Sequence, residues 1–157
     1  MSSYSKEEIN AYRRGIEDRA AWFYLLLKAA EEEGADPEKI AQSAVTKYGV
    51  QKGRALGAVK DAAEFAEALA EGYGCGAFEM KIVEKSPDKS VIQFFYCPLV
   101  ESWKKMELPG EEISRLCRLA RYGDLGMISC FPQLSLEFPR LLAEGEECCQ
   151  LVITRKP

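Results

Sequence analysis

Six cysteines and no histidine stand in a chain of 157 residues. Without imidazole there is no Ser-His-Asp or Cys-His relay within the chain, no HExxH zinc site and no histidine proton shuttle near neutral pH. Proton transfer and nucleophilic attack fall to thiol, carboxyl, hydroxyl, amine or guanidinium groups. Cys97 has the most chemistry around it. Pro98 behind it suits the first position of a helix, so Cys97 is expected as the N-cap at a strand-to-helix junction. Free backbone N–H groups and the helix dipole stabilise an anion there, which lowers a thiol's pKa. The alternative is a small buried hydrophobe in a tight turn.

Cys117, Arg121 and Asp124 are spaced i, i+4, i+7 and line one helical face if the helix persists through Gly123. A thiol, a guanidinium and a carboxylate in one stripe can bind a small acid and manage its protons. The other reading is a core-facing Cys117 beside a surface salt bridge. Cys148 and Cys149 are adjacent in a strand and point to opposite faces, so only one can join a common pocket. Cys75 and Cys130 lack ionisable neighbours, and packing is the expectation for both. There is no CxxC. A metal site built from Cys97, Cys117 and Cys149 stays geometrically open, but no cofactor is expected.

The elements that must position these groups can be read from periodicity. Apolar residues recur at helical spacing from Lys6 to about Glu33, with residues 1–5 expected to be frayed. Gly34 ends that helix; Asp36 and Pro37 are the N-cap and first position of a second, running to Gly49. A third, alanine-rich helix is expected from about Lys52 to Glu71. The segment Gly72–Gly76 (GYGCG) is read as opening a strand through Phe78, Met80 and Ile82. Because it opens a strand and not a helix, it fails the context of a dinucleotide loop. A polar turn at 85–89 and a returning strand from Val91 to Tyr96 make a hairpin. Short helices follow Cys97-Pro98, to about Met106, and Pro109-Gly110, from Glu111 to about Tyr122. Strands at 133–138 and 147–154 close the chain. The expected fold is α+β in a single domain: N-terminal helices on an antiparallel sheet of about four strands, with a helical insertion between the two strand pairs.

The net charge is −4, and Lys and Arg are interleaved with Asp and Glu, which argues against nucleic acid as a partner. No apolar run reaches the roughly 20 residues of a membrane helix, and the N-terminus lacks a signal-peptide core. The expectation is a cytoplasmic protein with reduced thiols, no membrane partner and a small-molecule substrate. The first helix has enough apolar surface for a homo-oligomer, although a core-facing role explains that surface equally well.

Three spacings then stand together: CP-x4-W (Cys97, Pro98, Trp103), C-x6-D (Cys117, Asp124) and G-x3-C (Gly145, Cys149). In this order they resemble the L-2-amino-thiazoline-4-carboxylic acid hydrolase family. The N-terminal half fits through an early arginine (Arg13 or Arg14) and the segment EKIAQSAVTKYGVQKG. The resemblance implies hydrolytic ring opening of a cyclic isothiourea or amidine carboxylate to an N-carbamoyl amino acid. On that basis Cys97 and Asp124 are the expected catalytic pair, with Arg121, Cys117, Cys149 and Trp103 as substrate-binding residues. Two schemes are open: Cys97 thiolate attacks C2 of the ring, or Asp124 activates water while Cys97 only binds. With no histidine, Asp124 must be desolvated enough to raise its pKa toward the working pH. A different class of reading is a noncatalytic domain that uses the separated cysteines for a ligand, a metal or redox sensing.

Overall fold

The structure, a computed structural model, describes residues 4–157. Ser5 caps helix α1 (Lys6–Glu32) through a reciprocal capping box with Glu8; residues 1–3 lie outside the described part. Asp36 caps α2 (Pro37–Ala55) by accepting from the amides of Glu38 and Lys39. After α3 (Ala62–Leu69) the segment read as a strand opening is instead a short helix, α4 (Gly72–Ala77). The sheet begins only at β1 (Met80–Lys85) and turns into β2 (Lys89–Phe94).

The helical insertion comprises α5 (Pro98–Lys105), α6 (Gly110–Ala120) and α7 (Tyr122–Ile128). It leads to β3 (Leu134–Arg140), a single 3-10 turn at Leu142–Glu144, and β4 (Cys149–Arg155). All strand pairs are antiparallel, in the order β1-β2-β4-β3, so the last strand inserts beside the hairpin. Each outer strand carries an irregularity in register, between Ile82 and Glu84 in β1 and between Glu137 and Arg140 in β3. The fold is α+β as read from the sequence, with the helical insertion between the two strand pairs.

Two helix boundaries differ from the sequence reading for one physical reason. Helix α2 does not stop at Gly49; it continues through Gly49 and Gly53, both buried against α7. A Cβ on Gly53 would stand 2.6 Å from the Met127 carbonyl and 2.7 Å from the Cys130 sulfur. One on Gly49 would strike the Gly123 carbonyl, and one on Gly126 the Thr46 carbonyl. These glycines let two helix backbones touch, and the same contact keeps Gly123 helical. Asp124 is therefore held on α7.

The core has two parts. One lies between the sheet and α3 and α7, around Phe65, Ile92, Phe131, Leu151 and Ile153. The other joins α1, α5 and α6 around Ala20, Trp103, Leu116 and Leu119, and Cys117 packs against both. Trp103 is completely buried and donates its indole N–H to the Ala20 carbonyl at 3.0 Å, while Ser102 donates to Glu17 O at 2.8 Å. These two bonds fix α5 on α1. Trp103→Phe keeps an aromatic ring but loses the donor and part of the volume. Urea denaturation should show a loss of about 1–3 kcal/mol, and an unchanged midpoint would mean the bond adds nothing. Helix α1 leaves Trp22, Leu25 and Leu26 exposed. Among the described residues no helix is long and apolar enough to cross a membrane.

Candidate active site

Helices α1, α2 and α7 and the strand ends enclose a cavity of about 580 Å³. Asp124 is in its wall, between Ala120, Gly123 and Met127 of the same helical face. Its interior is apolar, with Ile16, Leu69, Phe78, Met80 and Phe94. Its rim carries exposed Tyr12, Arg19, Tyr48, Lys52 and Tyr73. Among the described residues Asp124 makes no salt bridge and accepts no hydrogen bond. Burial raises its pKa from 3.8 to about 6, against the opposing charges of Lys52, Arg121 and Arg19. A carboxyl that can both hold and release a proton near neutrality thus faces a cavity, which is what acid–base work without histidine requires.

The cysteines are near but sit elsewhere. Cys97 is the N-cap of α5, as the sequence suggested, yet its pKa moves the other way, up to about 12. Burial dominates. The backbone amides of Val100 and Leu99 pull downward, while Cys149 and Cys117 push upward with their own incipient charge. The helix N-terminus is present, but desolvation outweighs it, so the expected low-pKa thiol is a neutral one at pH 7. Cys117 is likewise raised by burial, to about 11, with Arg121 opposing. Cys149 is raised by burial although the Leu142 amide approaches its sulfur at 3.3 Å. The three thiols are within electrostatic reach of one another, and Cys117 and Cys149 also sense Asp124. Among the described residues, no three His, Cys, Asp or Glu side chains gather closely enough to hold a metal.

Arg121 acts on both Cys117 and Asp124, so it bridges the thiol group and the acid electrostatically. Its guanidinium lies 5.4 Å from the centre of the Phe138 ring, and its buried Nε has no hydrogen-bond partner. It is not in the cavity wall, and neither are Cys97, Cys117 and Cys149. Trp103, expected to bind substrate, belongs to the core: no part of it is exposed and its one polar atom is engaged. The residues passed over are Arg19 and Lys52. Their signal was a charge inside an apolar helical stripe, Tyr12-Ile16-Arg19-Phe23 on α1 and Val45-Tyr48-Lys52-Leu56 on α2.

Fold and site together define an α+β protein whose helices roof a small sheet over a ligand-sized cavity with Asp124 in its wall and Glu71 on its rim. A solved structure with a similar fold is a trafficking protein particle complex subunit 3 from Naegleria fowleri, covalently bound to palmitic acid. It aligns with a TM-score of 0.61 at 14% identity, over 90% of this chain and 95% of that one. That likeness concerns the fold alone. No curated protein matches the sequence. The profile of the L-2-amino-thiazoline-4-carboxylic acid hydrolases matches residues 13–153, and the chain belongs to that family.

Proposed function

We propose that this protein hydrolyses a small cyclic isothiourea or amidine carboxylate to the N-carbamoyl amino acid, with Asp124 as the acid–base group. The observation that carries this reading is an unpaired carboxyl with a pKa of about 6 in a cavity wall beside two cations. The substrate carboxylate is held by Arg19 and Lys52, and the electrophilic C2 of the ring faces Asp124. Asp124 takes a proton from water as its oxygen bonds to C2. The C2–S bond then breaks, the ring nitrogen takes the second proton of the water as the new C–O bond becomes the carbonyl, and the departing sulfur receives the first proton from Asp124. One water is consumed, and the product is a free thiol bearing the carbamoyl group.

Cys97 is a neutral thiol outside the cavity wall, and of the two schemes the direct attack by water is the better supported. A thiol raised to about 12 is almost wholly protonated at pH 7 and a poor nucleophile. Turnover of 2-amino-thiazoline-4-carboxylate, followed by release of free thiol, tests the activity itself. Cys97→Ser should keep turnover within about tenfold, and mass spectrometry of rapidly quenched enzyme should show no adduct on Cys97. An adduct at Cys97 with an inactive serine variant would restore covalent catalysis.

A further inference from the structure

A single small ring with one carboxylate leaves most of this cavity empty. A volume of about 580 Å³ falls in the range of roughly 300–1,000 Å³ that buries drug-sized ligands. The cavity is also long. Tyr12 and Phe23 both line it and stand eleven residues apart on α1, about 16 Å along the helix axis. Its polar groups are not scattered: Arg19 and Lys52 share electrostatic reach with Asp124, whereas Leu69, Phe78 and Met80 are contributed by the α3 to β1 stretch. Among the described residues neither Arg19 nor Lys52 forms a salt bridge, so both remain available to an anion. Glu71, the other acid of the wall, is exposed on the rim just ahead of α4.

We propose that the ligand of this cavity is an amphipathic organic acid, with its carboxylate between Arg19 and Lys52 and an apolar chain lying along Leu69, Phe78, Met80 and Phe94. The inference takes from the hydrolase reading only the placement of the carboxylate, and it specifies the substrate class: a ring acid carrying an apolar substituent. An apolar wall without an apolar occupant would expose the inner faces of both cores to water, which is unfavourable in proportion to the area left wet. The two cations alone would recognise any small anion. The apolar end confers selectivity for the larger one.

Calorimetric titration with straight-chain carboxylates from butanoate to decanoate tests this on the intact protein. Affinity should climb by up to roughly fourfold per methylene until the apolar wall is used up. The double variant Arg19→Gln, Lys52→Gln should weaken every member by about the same factor, since it removes only the head contact. Leu69→Trp, which takes up part of the apolar wall, should flatten the dependence on length. The wild-type series alone is decisive if that variant folds poorly: affinity indifferent to chain length overturns the proposal. Asp124→Asn separates the two readings, because it should lower turnover by about 10²–10⁴-fold and retain the length dependence. Hydrolysis of the small ring acid without any length dependence would sink this inference and leave the hydrolase reading intact. Length dependence with no turnover of any ring acid, alkyl-substituted ones included, would do the reverse.

Discussion

Asp124→Asn should lower hydrolysis by about 10²–10⁴-fold while making the folded protein more resistant to urea at pH 8. The two effects have one origin. Burial holds the Asp124 pKa at about 6 against 3.8 for a solvated carboxyl, so between those values the folded state binds more protons than the unfolded one. Stability therefore falls as pH rises from about 4 to 6, and above 6 the ionised carboxylate costs about 3 kcal/mol relative to its state in the unfolded chain. Asparagine has no charge to desolvate. It should recover part of that amount at pH 8 and little at pH 4, the remainder being offset by an amide without a partner. Urea denaturation of both proteins at the two pH values reads this directly, and a difference independent of pH would refute the buried-acid assignment. In the wild type, kcat/KM should rise with pH through about 6, as expected when the free enzyme needs Asp124 ionised to accept a proton from water.

Gly49→Ala is the second change with a large expected effect, and its sign runs against helix propensity. At an open helical site alanine gains about 1 kcal/mol over glycine. Gly15 in α1 is such a site, with nothing near the position of its missing methyl group, and Gly15→Ala should be mildly stabilising. At Gly49 the methyl group would meet the backbone carbonyl of Gly123, which has no rotamer by which to escape. Overpacking costs about 1–3 kcal/mol where side chains can adjust, and a backbone obstacle belongs at the upper end. A net loss of about 1–3 kcal/mol is expected, or some 2–12 °C in melting temperature. Asp124 directly follows Gly123, so separating the helices also admits water to the acid. Its pKa should fall, and the rise of kcat/KM should move to lower pH. A normal melting temperature together with an unmoved pH profile would show that the two helices tolerate separation.

Local signals were enough for much of this architecture. The Asp36-Pro37 start of α2, the hairpin turn at 85–89, the N-cap position of Cys97 and the α+β order of elements all follow from short-range chemistry. What escaped was tertiary in origin. Gly49 reads as a helix stop because glycine is a poor helix former, yet it is retained because a neighbouring helix needs the space. Glycines at 72, 74 and 76 read as a break and are absorbed into a short helix beneath α1, where Ile9 packs over Gly76. Spacing placed Cys97 correctly at a helix start, but only its surroundings decide that burial outweighs the dipole. Asp124 came from its spacing to Cys117 and Arg121 and from the family resemblance, and the absence of histidine gave it the proton work. Arg19 and Lys52 were missed because three helices must meet before two lone charges in apolar stripes come to line one cavity.

The irregular register of the two outer strands bears on how this protein behaves when crowded. An open sheet exposes unpaired N–H and C=O groups along both edges, a template for pairing with another chain. Here β1 is broken in register and studded with Lys81, Glu84 and Lys85, and β3 is interrupted where Pro139 supplies no donor. Neither margin offers a straight ladder to a second copy. Smoothing one of them, for example by Pro139→Val, would trade solubility at high concentration for a continuous edge, and would do so without touching the cavity.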